Sequence, residues 1–210
     1  MSALTRTIAR YPELQACERD IVLAYEALRD CFRGEGKLLL CGNGGSASDC
    51  EHIVGELMKG FLSERPVGQT VRDRIARSGA SDPAYLIGHL QGALPAISLV
   101  GHSAFMTAYA NDAAADMAFA QQVFGYGRPG DALLAISTSG DSANVLRALE
   151  VARAMGLRTI GLTGRTGGRM KALCDVAICA PADRTPDVQE RHLPIYHTLC
   201  IMLEEEFFGP

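Results

Sequence analysis

The sequence predicts an α/β fold in which a parallel sheet is covered by helices on both faces. Three observations carry that expectation. Short apolar runs of strand length alternate with helical patterns from residue 37 onward. The runs are continuously apolar, as strands buried on both sides require. Two of them break abruptly into polar loops, Gly42-Asn43-Gly44-Gly45-Ser46 and Ser137-Thr138-Ser139-Gly140-Asp141-Ser142, each followed by a helical pattern. In sheets of this kind ligands bind beyond the carboxyl ends of the strands, so these loops are the first places to look for function.

The first strong pattern is an amphipathic helix from Leu14 to Phe32. Leu14, Cys17, Ile21, Ala24, Tyr25 and Leu28 recur at steps of three and four, and it closes near Gly34 and Gly36. A helix ahead of the first strand often has apolar surface to spare, and a second subunit is one way to cover it. The run Leu38-Leu39-Leu40-Cys41 is the first strand, and the helix after its glycine turn reaches Leu57. A buried strand, a glycine turn and a helix N-terminus together make a place for an anion. The loop has neither the spacing of a Walker A loop nor that of a dinucleotide fingerprint, so an ordinary nucleotide is not the expected ligand. On the following helix His52 and Glu56 stand at i and i+4, hence on one face. They read either as a surface pair or as an imidazole and a carboxylate working beside the bound anion.

Twenty-eight residues separate Pro66 from Pro95. Val71, Ile75 and Ala76 suggest one short helix, and Asp82-Pro83 opens a second with Tyr85, Leu86 and Leu90 on its apolar face. The excursion also gathers Arg65, Arg72, Arg74, Arg77 and His89 close together. A lid, an oligomer contact and a solvated helix pair all suit it. Beyond it come the strand Ala96–Val100, a helix from Ser103 to Ala110 leading to Asn111-Asp112, and a helix from Met117 to Tyr126. The strand Ala132–Ile136, the helix Ala143–Met155 and the strand Thr159–Leu162 follow. A turn Thr163–Gly168, a short helix Met170–Cys174, the strand Val176–Cys179 and a last helix from about Val188 to Phe207 complete the order. Pro194 is expected to disturb the last helix in its first turns or to mark its true start.

At 210 residues one domain, 1–210, is expected, with 67–94 as a helical insertion. Net charge is −4, so there is no electrostatic footprint for nucleic acid and an anionic ligand must be held by local donors. No apolar run approaches the roughly 18 residues of a membrane helix, and MSALTRTIARYPEL lacks a signal-peptide core; the expected location is the cytoplasm, with no membrane partner. The cysteines number seven and include no C-x-x-C, so buried thiols are expected rather than disulfides or a zinc knuckle. Cys50, just after the glycine loop, reads as a site-lining thiol or as a small buried hydrophobe.

The serine loop offers four hydroxyls in six residues: Ser137, Thr138, Ser139 and Ser142. One hydroxyl suffices for a helix cap; four suit the oxygens of a phosphate monoester without any lysine. In the last helix Gln189, His192, Tyr196 and His197 fall within about two turns and share a broad face.

GNGGSASDCEHIVGEL, ISTSGDSANV, GLTGRTGG and VQERHLPIYH, in this order, resemble the sugar isomerase (SIS) domain family, and within it the phosphoheptose isomerases. The resemblance runs from about Leu14 to Phe207 apart from segment 67–94. It implies a five-stranded parallel sheet in a flavodoxin-like three-layer sandwich, assembled as a homotetramer with sites at subunit boundaries. It implies isomerisation of sedoheptulose 7-phosphate. Carried over by motif, Ser137, Thr138, Ser139 and Ser142 hold the phosphate. Asn43, Gly44, Gly45, Ser46, Asn111 and Asp112, with Gln189, hold the open-chain sugar. His52, Glu56, Gln189 and His197 are the expected ligands of a zinc ion, and Glu56 and His197 the acid/base pair. Aldose–ketose exchange needs a base at carbon and an acid at oxygen, which a carboxylate and an imidazole supply. Two features depart from the pattern: segment 67–94 replaces a short link, and Lys59-Gly60 stands where many members carry an arginine. Non-catalytic relatives that associate with the replication initiator lack the glutamate and the last-helix histidine, both kept here. Sugar-phosphate sensors carry a DNA-binding domain for which the residues before the first strand are too few.

Overall fold

The computed structural model describes residues 1–209. Five strands form one sheet: β1 (Leu38–Gly42), β2 (Ala96–Ser98), β3 (Ala132–Ser137), β4 (Arg158–Thr163) and β5 (Val176–Cys179). All pairings are parallel and the order is β2-β1-β3-β4-β5. The register is direct, with Leu38 opposite both Ala96 and Ala132.

Period-two geometry divides each strand between two cores. Leu38, Leu40, Leu134, Ile136, Ile160 and Leu162 pack in one cluster with α2 (Glu18–Arg33), α3 (Gly45–Met58) and α9 (Thr185–Phe208). Leu39, Cys41, Leu133 and Ala135 pack on the opposite face with α7 (Ala118–Tyr126) and α8 (Ala143–Ala154). Because both sides of β1 and β3 are buried, their sequences are continuously apolar rather than alternating. Cys50 is wholly buried in the first cluster, which settles it as a core thiol.

The chain leaves β1 toward β2 on one side, while β3 lies on the other. The sheet therefore reverses direction between β1 and β3, and a crevice opens at their carboxyl ends. The glycine loop follows β1 and the serine loop follows β3, so the order of strands alone brings them together.

Several boundaries differ from the sequence reading. A helix α1 (Ala3–Arg10) precedes the expected first helix, capped by Ser2, whose hydroxyl accepts from the Thr5 N–H. The segment from Leu14 to Cys17 belongs to a 3-10 turn, Pro12–Cys17, and α2 starts at Glu18; the proline at its head favours a tight first turn. The insertion forms α4 (Gln69–Ala76) and α5 (Pro83–His89), the latter capped by Asp82. Asn111 and Asp112 sit in a π-helical turn, Ala110–Ala114, that continues α6 (Ser103–Tyr109), not in a loop. Pro194 lies well inside α9, which starts instead with Pro186 in its first turn. The bond it removes is the one to the carbonyl of Glu190, an exposed residue.

His192 is wholly buried in α9, with Nε2 donating to the Thr163 carbonyl at 3.3 Å. Burial pushes its pKa from 6.5 down to about 4. The unfolded chain therefore takes up the proton first as the pH falls, and stability is lost progressively from 6.5 toward about 4. The loss reaches roughly 3 kcal/mol at the end of that window. Urea unfolding of wild type and His192→Gln at pH 7 and 4.5 checks this: the variant is expected to show the shallower pH dependence.

Candidate active site

The crevice between β1 and β3 is a cleft of about 290 Å³, near the lower end of the range for small-molecule sites. Asn43, Gly44, Gly45 and Ser46 line one wall; Ser137, Thr138 and Ser142 line the other, and Gln189 and Thr185 close it from α9. Gly44 takes φ 55°, a left-handed conformation that turns the chain from β1 into α3. A Cβ at Gly45 would run into the Gln189 Nε2, so the glycine lets the Gln189 amide lie against the loop.

The serine wall is held from within. Ser137 Oγ and Ser142 Oγ are 3.1 Å apart, and the Gly140 N–H donates to Ser137 Oγ at 3.2 Å. Ser142 is the N-cap of α8, whose dipole favours an anion at that end. Ser139 stands apart from the other three hydroxyls. It is exposed and does not line the cleft, and its hydroxyl accepts from the Asp141 N–H at 3.2 Å. The rim beyond is fixed by Arg169, whose backbone N–H and guanidinium both bond Asp141 and hold that carboxyl below the usual range.

Asn144, a residue the sequence reading passed over, joins the two walls. Its Nδ2 donates to Asn43 Oδ1 at 2.9 Å and its Oδ1 accepts from Asn43 Nδ2 at 2.9 Å. The sequence signal was its place two residues after a serine-rich loop, where it read as an ordinary first-turn helix residue.

Further along α3 and α9 lies a second cluster. His52 Nε2 is 3.2 Å from Glu56 Oε1, and Lys59 Nζ is 3.3 Å from Glu56 Oε2. His52 Nδ1 is 3.0 Å from the Tyr196 hydroxyl. The Tyr196 hydroxyl also bonds the Asp49 carboxylate, so the His52 ring links a Tyr196–Asp49 pair on one side to Glu56 on the other. The His197 ring packs edge-on at 5.1 Å from His52, with Phe61 at 5.4 Å. Burial, and then the neighbouring His52, push His197 below the usual histidine range, against an opposing pull from Glu56. Its Nε2 is buried without a hydrogen-bond partner. A neutral imidazole with an unengaged nitrogen is suited to handing a proton to, or taking one from, a substrate oxygen.

His52, Glu56 and His197 are therefore brought together, while Gln189 is not among them. It lies against Gly45, seven residues before His52 on α3, about 10 Å of helix away. The donor types suit zinc. Among the described residues no three His, Cys, Asp or Glu side chains are placed to share a metal ion, and both nitrogens of His52 are engaged. Asn111 and Asp112 also lie apart from the cleft. Both are exposed, and Asn111 Nδ2 donates to Asp112 Oδ1 at 2.9 Å.

A doubly wound sheet with a hydroxyl-lined cleft at its switch point, and a carboxylate–imidazole cluster further along the helices that bound it, is in keeping with the sugar-phosphate isomerase class. The family model described as SIS domain matches residues 84–164. A phosphoheptose isomerase of Nitratiruptor sp. is 42% identical over 186 residues, covering 89% of this chain and 83% of that protein. One from Desulfovibrio desulfuricans is 40% identical over 210 residues, covering 99% and 88%. The solved phosphoheptose isomerase of Neisseria gonorrhoeae superposes with a TM-score of 0.75 at 32% identity, covering 96% of this chain and 94% of that one. The chain belongs to the phosphoheptose isomerase family and is an isomerase.

Proposed function

We propose that this isomerase interconverts sedoheptulose 7-phosphate and D-glycero-D-manno-heptose 7-phosphate through an enediol. The observation that carries the reading is a hydroxyl-lined cleft whose bounding helices, α3 and α9, also carry a carboxylate–imidazole cluster further along. Ser137, Thr138 and Ser142 take the phosphate oxygens. Asn43 to Ser46 and Gln189 face the open-chain sugar. Glu56 removes the proton from C1 of the ketose as His197 supplies one to the C2 oxygen, giving the enediol. Return of a proton to C2 and loss of the O1 proton complete the aldose. His52 donates to Glu56 and fixes its orientation.

Zinc remains a proposal resting on donor chemistry and on the resemblance, and no step here runs through it. Calorimetric titration with zinc, wild type against His52→Ala, checks it. A homotetramer with shared sites is likewise proposed. The exposure of Asn111 and Asp112, away from the cleft of their own chain, supports a role for them at a neighbouring subunit's site. No helix among the described residues is long and apolar enough to cross a membrane; the cytoplasmic setting is a proposal that rests on the resemblance.

The experiment is a panel of five-, six- and seven-carbon ketose phosphates assayed for kcat/KM. The heptulose phosphate is expected to lead by about tenfold or more, a margin of roughly 1.4 kcal/mol in transition-state binding. Turnover of a shorter ketose with none of the heptulose would reassign the substrate.

A further inference from the structure

The bulkiest wholly buried side chain among the described residues is an arginine, Arg65. It stands just past the end of α3 in a left-handed conformation, φ 46°, uncommon for any residue but glycine. Its Nε donates to Glu204 Oε1 at 2.7 Å, Nη1 to the Leu57 carbonyl at 2.8 Å and Nη2 to the Glu56 carbonyl at 2.9 Å. The guanidinium lies over the Phe208 ring at 4.7 Å. Glu204 in turn accepts from the Phe61 and Leu62 N–H groups at 2.8 and 2.7 Å.

The last carbonyls of a helix have no partner within it, and a cation there is favourable. Arg65 meets both needs, and the carbonyls it holds include that of the residue carrying the proposed base. Its partner Glu204 lies seven residues after His197 on α9, two turns along the same face. The pair therefore ties the end of α3 that carries Glu56 to the face of α9 that carries His197. A buried ion pair is in itself weak evidence for stability, since apolar replacements often serve as well. Strained backbone in a buried, fully bonded arrangement points to a requirement beyond folding.

We propose that Arg65, paired with Glu204, is a positioning residue for proton transfer, holding the carboxylate of Glu56 in register with His197. The inference rests on the acid/base reading above.

Two variants test it. Arg65→Lys keeps the charge next to Glu204 but cannot span the carbonyls of Glu56 and Leu57. The double variant Arg65→Met/Glu204→Gln leaves no unpaired buried charge and keeps an acceptor for the Phe61 and Leu62 N–H groups, so it carries the test if the lysine variant does not fold. Both are compared with wild type and Glu56→Gln, with folding checked by near-UV circular dichroism and gel filtration. The expected result is a kcat about 10- to 100-fold lower per folded molecule, with KM within about twofold of wild type. A merely structural role lowers the thermal midpoint but not kcat per folded molecule. Wild-type kcat in a folded variant, with Glu56→Gln inactive, overturns the positioning role alone. Wild-type kcat in Glu56→Gln overturns the acid/base reading itself.

Discussion

Glu56→Gln is expected to lower kcat by roughly 10²- to 10⁴-fold, the range for removing a general acid or base, with little change in KM or thermal midpoint. The amide has the shape of the carboxylate, and its oxygen can still accept from His52 Nε2, so the cluster stays packed. What it lacks is the ability to take a proton from carbon. His197→Gln is expected to cost about as much, because the enediol needs proton transfer at both ends. The double variant should be little worse than either single one, since residues acting as a unit are not additive. Steady-state kinetics with thermal melts on the three proteins read this directly. A folded Glu56→Gln enzyme with kcat near wild type would remove Glu56 from the chemistry.

The second large effect is expected at Gly140, which has no contact with the proposed base. It takes φ 71°, and a Cβ there would run into the Gly167 carbonyl. Across the same contact a Cβ at Gly168 would run into the Ser139 carbonyl. The loops after β3 and β4 thus interlock backbone to backbone, and neither has a flexible side chain that can give way. Gly140→Ala must strain residue 140 or part the loops. Strain alone costs roughly 1–3 kcal/mol, or about 2–12 °C in thermal midpoint for a chain of this length. Parting the loops displaces the Ser137 and Ser142 hydroxyls, and a lost charge-assisted hydrogen bond of roughly 1.5–3 kcal/mol raises KM by about tenfold or more. Gly125→Ala is the control. That glycine is in α7 with open space around its Cβ position, so alanine there should be neutral or stabilising. An unchanged KM with a lowered thermal midpoint would mean that strain at residue 140 absorbs the Cβ and the loops stay together.

What could be read from the sequence follows a physical line. The strands were legible because burial on both faces writes a continuous apolar run, as in Leu38–Cys41 and Ala132–Ile136. The loops were legible because a backbone turn against a ligand needs glycine or hydroxyls. Spacing on one helix put His52 beside Glu56. The structure adds the contacts between segments distant in sequence: Asn43 with Asn144, His52 with Tyr196, and Arg65 with Glu204. No periodicity encodes those pairings. Spacing does not give side-chain direction. Gln189 and His197 share a broad face of α9, yet one meets Gly45 and the other packs against His52. Ser139 Oγ accepts from the N–H of Asp141 in its own turn, a local contact that its sequence position alone does not give. Pro194 misplaced the start of α9 because Pro186 already supplied one.

The most direct test of the account is turnover of sedoheptulose 7-phosphate in deuterium oxide, with the product examined by proton NMR. Proton transfer through an enediol, handled by a carboxylate and an imidazole, predicts an aldose heptose 7-phosphate carrying deuterium at C2, and loss of both turnover and labelling in Glu56→Gln. An aldose product with no deuterium at C2, or the same labelling in Glu56→Gln, would contradict it.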